Sequence, residues 1–345
     1  WTRLPGSGFD EVNLPCLLRN GQAFRWVQTS AGEWTSTVHG RLVTLRQQLP
    51  DRDPSTGIFC LPQLSTPACR NLAGAETETA YDTEQMAAWL VDYFQLGTRL
   101  APLYDQWRRA DPAHFAAKAP HYPGIRMLRQ DPLENVLSFI CSSNNAIPRI
   151  ATMVQTLARL YGSPVGRVPT HPETVFYAFP TLLQLAHEAP AAMEVRLRQH
   201  GFGYRAKFIA ATVQALLAHE QAYTADRRPP KACPPHEVPV GSRYLTSLRQ
   251  QPREDARAAL MALPGVGAKV ADCICLMSLD QADRIPVDTH VWQIATRDYG
   301  LFRDDAALPK TLTPRVYDQI GQHFGALFGP YAGWAHTVLF AADLR

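Results

Sequence analysis

The sequence has few lysines, few cysteines and no long apolar stretch free of charge. Its 345 residues include 7 cysteines, an odd number scattered along the chain, which is typical of a reduced, intracellular protein. No group of cysteines and histidines has the spacing of a zinc site. No apolar run reaches the roughly 18 to 20 residues that a membrane-spanning helix needs, which argues against a membrane role.

The positive charge is carried almost entirely by arginine. A formal net charge of +3 and a pI near 8.5 permit a nucleic-acid partner but do not by themselves argue for one. Arginine suits phosphate contacts because it is always charged, whereas a lysine can lose its proton for chemistry. The chain has five lysines that such chemistry could use: Lys118, Lys207, Lys231, Lys269 and Lys310.

The pattern of the chain predicts an α+β fold, with an N-terminal antiparallel β-rich domain followed by an all-helical core. Alternating stretches at Phe24–Val27 and Arg41–Arg46 predict strands in a first domain of residues 1–123. Residues from about 50 to 80, rich in Pro, Ser and Thr, are interpreted as an insertion in that domain.

From Thr83 onward the apolar residues recur at helical spacing, and the sequence predicts a helical core over residues 124–345. Candidate helices lie near 131–142, 147–161, 191–199, 204–219, 243–250, 253–262, 268–279, 289–298, 314–324 and 331–342. Asp131-Pro132 is a helix cap followed by proline at the first helical position. The proline-rich stretch 226–235 cannot continue a helix and indicates a surface linker.

The most informative segment is a predicted hairpin of two helices over residues 253–279. Its turn reads Leu263-Pro-Gly-Val-Gly267, and two glycines one residue apart permit a tight turn with outward-facing backbone N–H groups. Together with a helix N-terminus, these groups form a site suited to phosphate. An ordinary helix–turn–helix connection is an equally good interpretation of the turn alone.

Two of the charged residues that follow this turn are candidates for catalysis. Lys269 begins the second, almost wholly apolar helix, where burial and the positive helix end both disfavour the ammonium and favour a free amine nucleophile. Asp288 comes 19 residues later, at a predicted helix N-cap, where a fixed carboxylate can stabilise positive charge developing on a sugar. Taken alone, Lys269 would rather be interpreted as a solvent-facing phosphate contact, and Asp288 as only a cap.

Six spaced motifs, in order along most of the chain, resemble the helix-hairpin-helix/Gly-Pro-Asp glycosylases, and within them the 8-oxoguanine DNA glycosylase/AP lyases. The motifs are Asn20-Gly-Gln-Ala-Phe-Arg-Trp26, Ser138-Phe-Ile-Cys-Ser-Ser-Asn-Asn145, Gly201-Phe-Gly-Tyr-Arg-Ala206, Leu263-Pro-Gly-Val-Gly-Ala-Lys-Val-Ala-Asp-Cys-Ile-Cys-Leu-Met277, Pro286-Val-Asp-Thr-His290 and Gly329 through Arg345.

The resemblance implies a bifunctional enzyme that flips 8-oxoguanine, paired with cytosine, out of duplex DNA. Lys269 is then expected to attack C1′ and form a Schiff base that permits β-elimination, while Asp288 supports the oxocarbenium-like transition state. The base pocket is expected to consist of the Gly21 carbonyl, Cys273 and Phe340. Without the resemblance, a turn glycine and two core side chains would be the preferred interpretation.

His336 departs from the family pattern. The family usually has a glutamine at this position, two residues after the tryptophan, which reads the Watson–Crick edge of the base. An imidazole can donate or accept but cannot present both ends of an amide at once. We therefore expect His336 in the base pocket with an altered reading geometry.

The resemblance also assigns the contacts to DNA. Asn144, Arg149, Tyr204 and Arg205 are expected to fill the vacated stack and hold the estranged cytosine, although Arg149 and Arg205 alone would be interpreted as surface charges. Phosphate contacts are expected from Gly265, Gly267, Val270 and His290. The carbonyls of Met261, Leu263 and Val266 are expected to face a structural monovalent or divalent cation.

Other functions stay open at this point. A monofunctional glycosylase for another damaged base would need Asp288 but no Schiff-base lysine, and a noncatalytic DNA-binding module would need neither. An iron–sulfur cluster is excluded because no cysteine follows Cys275, and no cofactor is required. The partner is expected to be duplex DNA bound by a monomer, in the nucleus and secondarily in the mitochondrion.

Overall fold

A computed structural model describes residues 1–47, 57–62, 83–225, 241–302 and 311–344. An antiparallel sheet with the strand order β1-β5-β4-β3-β2 is followed by a helical core, which confirms the predicted α+β fold. The strands are β1 Thr2–Arg3, β2 Val27–Ser30, β3 Glu33–Val38, β4 Arg41–Gln47, β5 Ile58–Pro62, β6 Pro164–Val168 and β7 His171–Tyr177.

The sheet corrects two predictions. Strand β5 lies inside the stretch interpreted as an insertion, and it pairs with β4 on one side and β1 on the other. The rest of that stretch lies outside the described residues. The predicted strand at Phe24–Val27 is also wrong except for Val27, because Phe24 packs edge-on against Phe139 of the helical core instead of extending the sheet.

The helical part contains every helix predicted for it, although the helix predicted near 204–219 runs on to Ala225 and residues 248–250 form a 3₁₀ turn. The helices are α1 Leu14–Leu17, α2 Thr83–Tyr93, α3 Leu100–Ala110, α4 Phe115–Lys118, α5 Pro132–Ser142, α6 Ile147–Tyr161, α7 Leu182–Ala186, α8 Pro190–Gln199, α9 Arg205–Ala225, α10 Arg243–Ser247, α11 Arg253–Met261, α12 Ala268–Ser278, α13 Thr289–Arg297, α14 Pro314–Phe328 and α15 Ala332–Asp343.

The start of α5 shows how the sequence sets a helix boundary. The Asp131 carboxylate accepts hydrogen bonds from the Leu133 and Glu134 backbone N–H groups at 2.9 and 3.0 Å. Pro132, at the first helical position, lacks an N–H group that would otherwise be left without a partner. The predicted cap is therefore confirmed.

A β-hairpin of β6 and β7 interrupts the helical part and was not predicted. Val165, Val168 and Phe176 bury their side chains against Leu42 of the N-terminal sheet. The hairpin therefore binds the start of the helical part to the sheet. Its strands are short, and their pairing shifts register on both sides of Gly166.

Two large apolar cores hold the described residues together. The smaller lies between the sheet and α2, and the larger fills the helical part. Leu100, Trp107 and Phe115 belong to the larger core, so the division between the cores does not fall at the boundary predicted after residue 123.

None of the described helices combines the length and the apolar character that crossing a membrane requires. The predicted linker 226–235 lies outside the described residues.

Candidate active site

The helical hairpin of α11 and α12 has a turn that only glycine can adopt at one position. Gly265 has a φ of +78°, and a Cβ atom there would lie 2.7 Å from the Cβ atom of Phe208. Phe208 lies on α9, and from the same helix the Thr212 hydroxyl donates to the Pro264 carbonyl at 2.6 Å. The turn therefore rests on α9.

The second glycine has a different role. Gly267 is the N-cap of α12, with a φ of −93°, and a Cβ atom there would meet nothing within 4 Å. The outer side of the turn is therefore open at the N-terminus of α12, where backbone N–H groups lack partners within the helix.

Lys269 is half-buried at the start of α12. Its Nζ atom lies 5.2 Å from the centre of the Phe139 ring on α5, a cation–π distance. One helical turn further on lies the buried Cys273 thiol, close enough for the Lys269 charge to oppose the rise of its pKa. Phe139 was not predicted as a site residue, although it belongs to the motif Ser138–Asn145.

Asp288 is the N-cap of α13, as predicted. Its Oδ1 atom accepts a hydrogen bond from the Val291 backbone N–H group at 3.0 Å. Its second carboxylate oxygen accepts no hydrogen bond from the described residues and is left for another partner. The side chain is half-buried, so the carboxylate is held at the edge of the helical core.

Lys269 and Asp288 act on the same two buried side chains. Burial raises the pKa of the Cys273 thiol to about 11, with the Lys269 charge acting against that shift and Asp288 adding to it. Burial also lowers the pKa of His336 to about 4, with Asp288 acting against that shift and Lys269 adding to it. The Lys269 and Asp288 side chains therefore share one site with a neutral thiol and a neutral imidazole.

His336 is 5% exposed, and neither of its ring nitrogens has a hydrogen-bond partner among the described residues. Its ring neighbours Phe324 and Phe340, each with its ring centre 6.2 Å away. Buried polar atoms are usually paired, so an imidazole with two unpaired nitrogens indicates a place for a ligand.

Gly21 lies in the loop between α1 and β2, with a φ of +85°. A Cβ atom there would lie 3.1 Å from the Cδ1 atom of Ile147, the first residue of α6. The next residue anchors the loop, because the Gln22 side chain donates to the Arg126 carbonyl at 2.9 Å and accepts from the Leu128 N–H group at 3.0 Å. The structure thus brings this N-terminal loop to the helical core.

The four residues predicted to fill the stack and hold the cytosine form a second cluster. Tyr204 is 49% exposed, and its hydroxyl donates to the Ser143 carbonyl at 3.0 Å. Asn144 is exposed at a φ of +48°, and Arg149 reaches the Gly201 carbonyl at 3.4 Å.

Arg205 is not the surface charge that its type alone indicates. It is 5% exposed, and its guanidinium donates to the Ser143 carbonyl and, at 3.1 Å, to the Asn144 carbonyl. It also lies 4.6 Å from the centre of the Tyr204 ring. Arg205 therefore fixes the backbone of the loop that presents Asn144.

His290 is exposed on α13, as expected from its position after the cap. Its Nδ1 atom lies 3.5 Å from a carboxylate oxygen of Asp343, and its ring stands edge-on to Phe340 at 5.9 Å. His290 thus lies beside the predicted base pocket. Asp343, within the last motif of the sequence, was not predicted as a site residue.

Two family models match adjoining parts of the chain. Residues 8–136 match the 8-oxoguanine DNA glycosylase N-terminal domain, and residues 137–312 match the HhH-GPD superfamily base excision DNA repair protein model. The second match includes Lys269, Asp288 and the hairpin.

Relatives cover nearly the whole chain. The N-glycosylase/DNA lyase OGG1 of Arabidopsis thaliana is 39% identical over 97% of this chain and 78% of its own length. The N-glycosylase/DNA lyase of Saccharomyces cerevisiae is 33% identical over 97% of this chain and 84% of its own length.

A solved structure has the same fold. The 8-oxoguanine glycosylase/lyase of Clostridium acetobutylicum, solved with DNA, superposes with a TM-score of 0.69 at 24% identity, covering 96% of this chain and 91% of that one. The chain belongs to the HhH-GPD superfamily of base excision DNA repair proteins, among the N-glycosylase/DNA lyases that carry the 8-oxoguanine DNA glycosylase N-terminal domain.

Proposed function

We propose that this enzyme excises 8-oxoguanine opposite cytosine from duplex DNA and then cleaves the strand at the resulting abasic site. The observation that carries the proposal is the convergence of Lys269 and Asp288 on two buried, neutral side chains, Cys273 and His336. The substrate is supported by the Clostridium acetobutylicum protein, which was solved with double-stranded DNA containing cytosine opposite 8-oxoguanine.

The Lys269 amine would be the nucleophile. Its attack on C1′ forms a C–N bond as the glycosidic bond breaks, and the base leaves with a proton. Loss of the amine proton and opening of the sugar give a Schiff base, which makes the C2′ proton acidic. Removal of that proton then expels the 3′ phosphate. Asp288, fixed at its helix N-cap, would stabilise the positive charge that develops on the sugar before attack.

The base pocket would combine the Gly21 carbonyl with the Cys273 thiol and the Phe340 ring. Oxidised guanine carries an N7–H group that normal guanine lacks, and a buried carbonyl left without a donor costs about 1 to 3 kcal/mol. The anchoring of the loop through Gln22 supports this role, because it holds the Gly21 backbone in one conformation.

The second cluster would occupy the duplex once the base has left it. Exposed Asn144 and Tyr204 would fill and wedge the stack, and Arg149 would reach cytosine acceptors. Arg205 is engaged with the Ser143 and Asn144 carbonyls, so its guanidinium would contact cytosine only through its remaining nitrogens.

The hairpin would bind the DNA backbone. The open N-terminus of α12 at Gly267 and Val270 would accept a phosphate, with Gly265 shaping the turn and His290 contacting a phosphate nearby.

A cation would be held by the carbonyls of Met261, Leu263 and Val266, where it would add positive charge beside the phosphate. The Leu263 carbonyl accepts the Val266 N–H group at 3.1 Å and keeps a lone pair for this purpose. Exchanging K⁺ for tetramethylammonium at equal ionic strength should weaken DNA binding if a cation occupies the hairpin. Equal affinity in the two salts would contradict it.

Two further predictions accompany this function. The enzyme is proposed to act as a monomer, which sedimentation with and without DNA tests. The nucleus, with the mitochondrion as a second site, stays the predicted location, and cell fractionation tests it.

The central experiment is borohydride trapping on duplexes that carry 8-oxoguanine opposite each of the four bases. Wild type should form a covalent adduct, most efficiently opposite cytosine, and Lys269→Gln should form none because the Schiff base requires this amine. Lys207→Gln is the matched control, since Lys207 is exposed on α9 outside the site. Base release without an adduct would indicate a monofunctional glycosylase, and binding without either would indicate a noncatalytic module.

A further inference from the structure

Tyr317 on α14 joins two parts of the chain that each carry a candidate catalytic residue. Its hydroxyl lies 2.5 Å from the Oδ2 atom of Asp272 on α12 and donates its proton there. The same hydroxyl oxygen accepts the Val287 backbone N–H group at 3.3 Å. Tyr317 belongs to none of the six motifs.

Asp272 is the rigid end of this bridge. Its side chain is 3% exposed and receives a two-pronged contact from Arg257 on α11, with the guanidinium nitrogens 2.7 and 3.1 Å from its two oxygens. Such bidentate pairs fix geometry as well as charge. The carboxylate thereby ties both helices of the hairpin together.

The two ends of the bridge have catalytic neighbours. Asp272 lies three residues after Lys269 on the same helix, and Val287 directly precedes Asp288. We propose that Tyr317 and Asp272 are positioning residues, which hold the start of α13 against α12 and so set the Asp288 carboxylate relative to the Lys269 amine. This inference rests on the roles proposed above for Lys269 and Asp288.

The bridge is suited to this task. Apart from its own helix end, Asp288 has no hydrogen-bond partner among the described residues, and Val287 is fully buried. Without the hydroxyl, a buried N–H group and a buried carboxylate oxygen would each lose a partner, and the segment could shift. Burial and the Asp272 charge raise the pKa of Tyr317, so the hydroxyl keeps its proton at neutral pH.

The test is a double-mutant cycle on the single-turnover rate of 8-oxoguanine release. Tyr317→Phe should slow base release by about tenfold, since small misplacements of a catalytic group cost this much or more. Its affinity for DNA with a noncleavable abasic analogue should stay within about twofold of wild type. In an Asp288→Asn background the same substitution should change the rate by less than about twofold, because the carboxylate that it positions is gone.

Tyr161→Phe is the matched control. Tyr161 is the last residue of α6, and its hydroxyl also donates to a carboxylate, that of Glu188, at 2.7 Å. Removing this hydroxyl should leave the rate of base release unchanged. Asp272→Asn weakens the same bridge from its other end, because only one side-chain oxygen is left to accept from both Tyr317 and Arg257. It should slow base release in the same direction as Tyr317→Phe, which keeps the test open if either variant is unstable.

The outcomes separate this inference from the proposed function. A wild-type enzyme that releases no 8-oxoguanine contradicts the proposed function itself. An active wild type with an unchanged rate in folded Tyr317→Phe and Asp272→Asn overturns only the bridge. Equal slowing in the Asp288→Asn background also overturns it, because the loss would then be a general structural effect.

Discussion

His336 combines deep burial with two ring nitrogens that have no partner among the described residues. A neutral imidazole carries its donor and its acceptor on opposite sides of the ring, whereas an amide presents both from one end. In the proposed pocket, only one nitrogen of His336 could face the edge of a base at a time. Which group it presents would depend on the tautomer, and no described residue fixes the tautomer.

The protonation of His336 should make the free energy of unfolding depend on pH. Its pKa is about 4 in the folded protein against 6.5 for the exposed side chain, because burial disfavours the charged form. Between these values the unfolded chain binds a proton that the folded protein does not, so the free energy of unfolding rises with pH through this range and levels off above it.

His336→Gln should remove about 2 kcal/mol of the difference in unfolding free energy between about pH 5 and about pH 8. Urea unfolding of both proteins at the two pH values measures it. His39 and His323, whose pKa values burial also lowers, are common to both proteins and cancel. Identical pH dependence would show that the His336 ring is solvated in the folded state.

Among single residues, the sequence identifies those whose contacts are with residues close by in the chain. Lys269 follows its glycine turn directly, and Asp288 caps its own helix, so the local pattern marks both as candidates, while their proposed catalytic roles come from the resemblance. Tyr317 cannot, because its partners are 45 and 30 residues away along the chain. The burial of Arg205 also depends on a loop 61 residues away, which no local pattern indicates.

Among the elements, the hairpin turn depends on the helix behind it. Gly265 combines a φ of +78° with contact to Phe208, whereas Gly267 has neither constraint. The Gly-x-Gly pattern predicts the turn but not this difference between its two glycines, since Phe208 comes from α9.

Gly265→Ala should lower the free energy of unfolding by about 2 kcal/mol or more. A left-handed alanine costs roughly 1 to 2 kcal/mol, and the clash with Phe208 adds to it. Gly267→Ala should cost less than about 1 kcal/mol, the usual penalty of alanine at an N-cap, and act mainly by weakening DNA binding. Chemical denaturation of both variants measures the contrast, and equal destabilisation would contradict the assignment of strain to Gly265.

Strand β5 and the hairpin of β6 and β7 show why some strands cannot be predicted from the sequence pattern. Each strand has at most seven residues, and β5 is flanked by residues of loop type. Such short stretches become strands because partners distant in sequence are available, namely β4 for β5 and the apolar face at Leu42 for the hairpin.

For the molecule as a whole, one buried arginine connects the N-terminal sheet, the β-hairpin of β6 and β7, and the helical core. Arg25 donates to the Thr37 hydroxyl on β3, to the Tyr177 carbonyl on β7 and, at 3.0 Å, to the Glu134 carboxylate on α5. Burial raises the pKa of Glu134, and Arg25 opposes that shift. The orientation of the two cores therefore depends on the Arg25 guanidinium, which contacts residues of both the sheet and the helical part.

Arg25→Gln should lower the free energy of unfolding by about 3 kcal/mol, because it leaves the largely buried Glu134 carboxylate without its partner. Arg198→Gln, which breaks an exposed ion pair with Glu194, is the matched control and should cost less than about 1 kcal/mol. Thermal unfolding monitored by circular dichroism compares them. Adding Glu134→Gln to Arg25→Gln should recover part of the loss, and no recovery would mean that the lost contacts to Thr37 and Tyr177 dominate.

The clamp of Arg205 on the Ser143 and Asn144 carbonyls has a consequence for how the enzyme would search DNA. A loop that is ordered only on contact would lose its conformational entropy at every base pair that the protein samples. Here that entropy is already lost when the chain folds, so Asn144 meets each base pair in a fixed shape. A protein that scans DNA in this way would test each undamaged base pair without having to order the Asn144 loop again at each step.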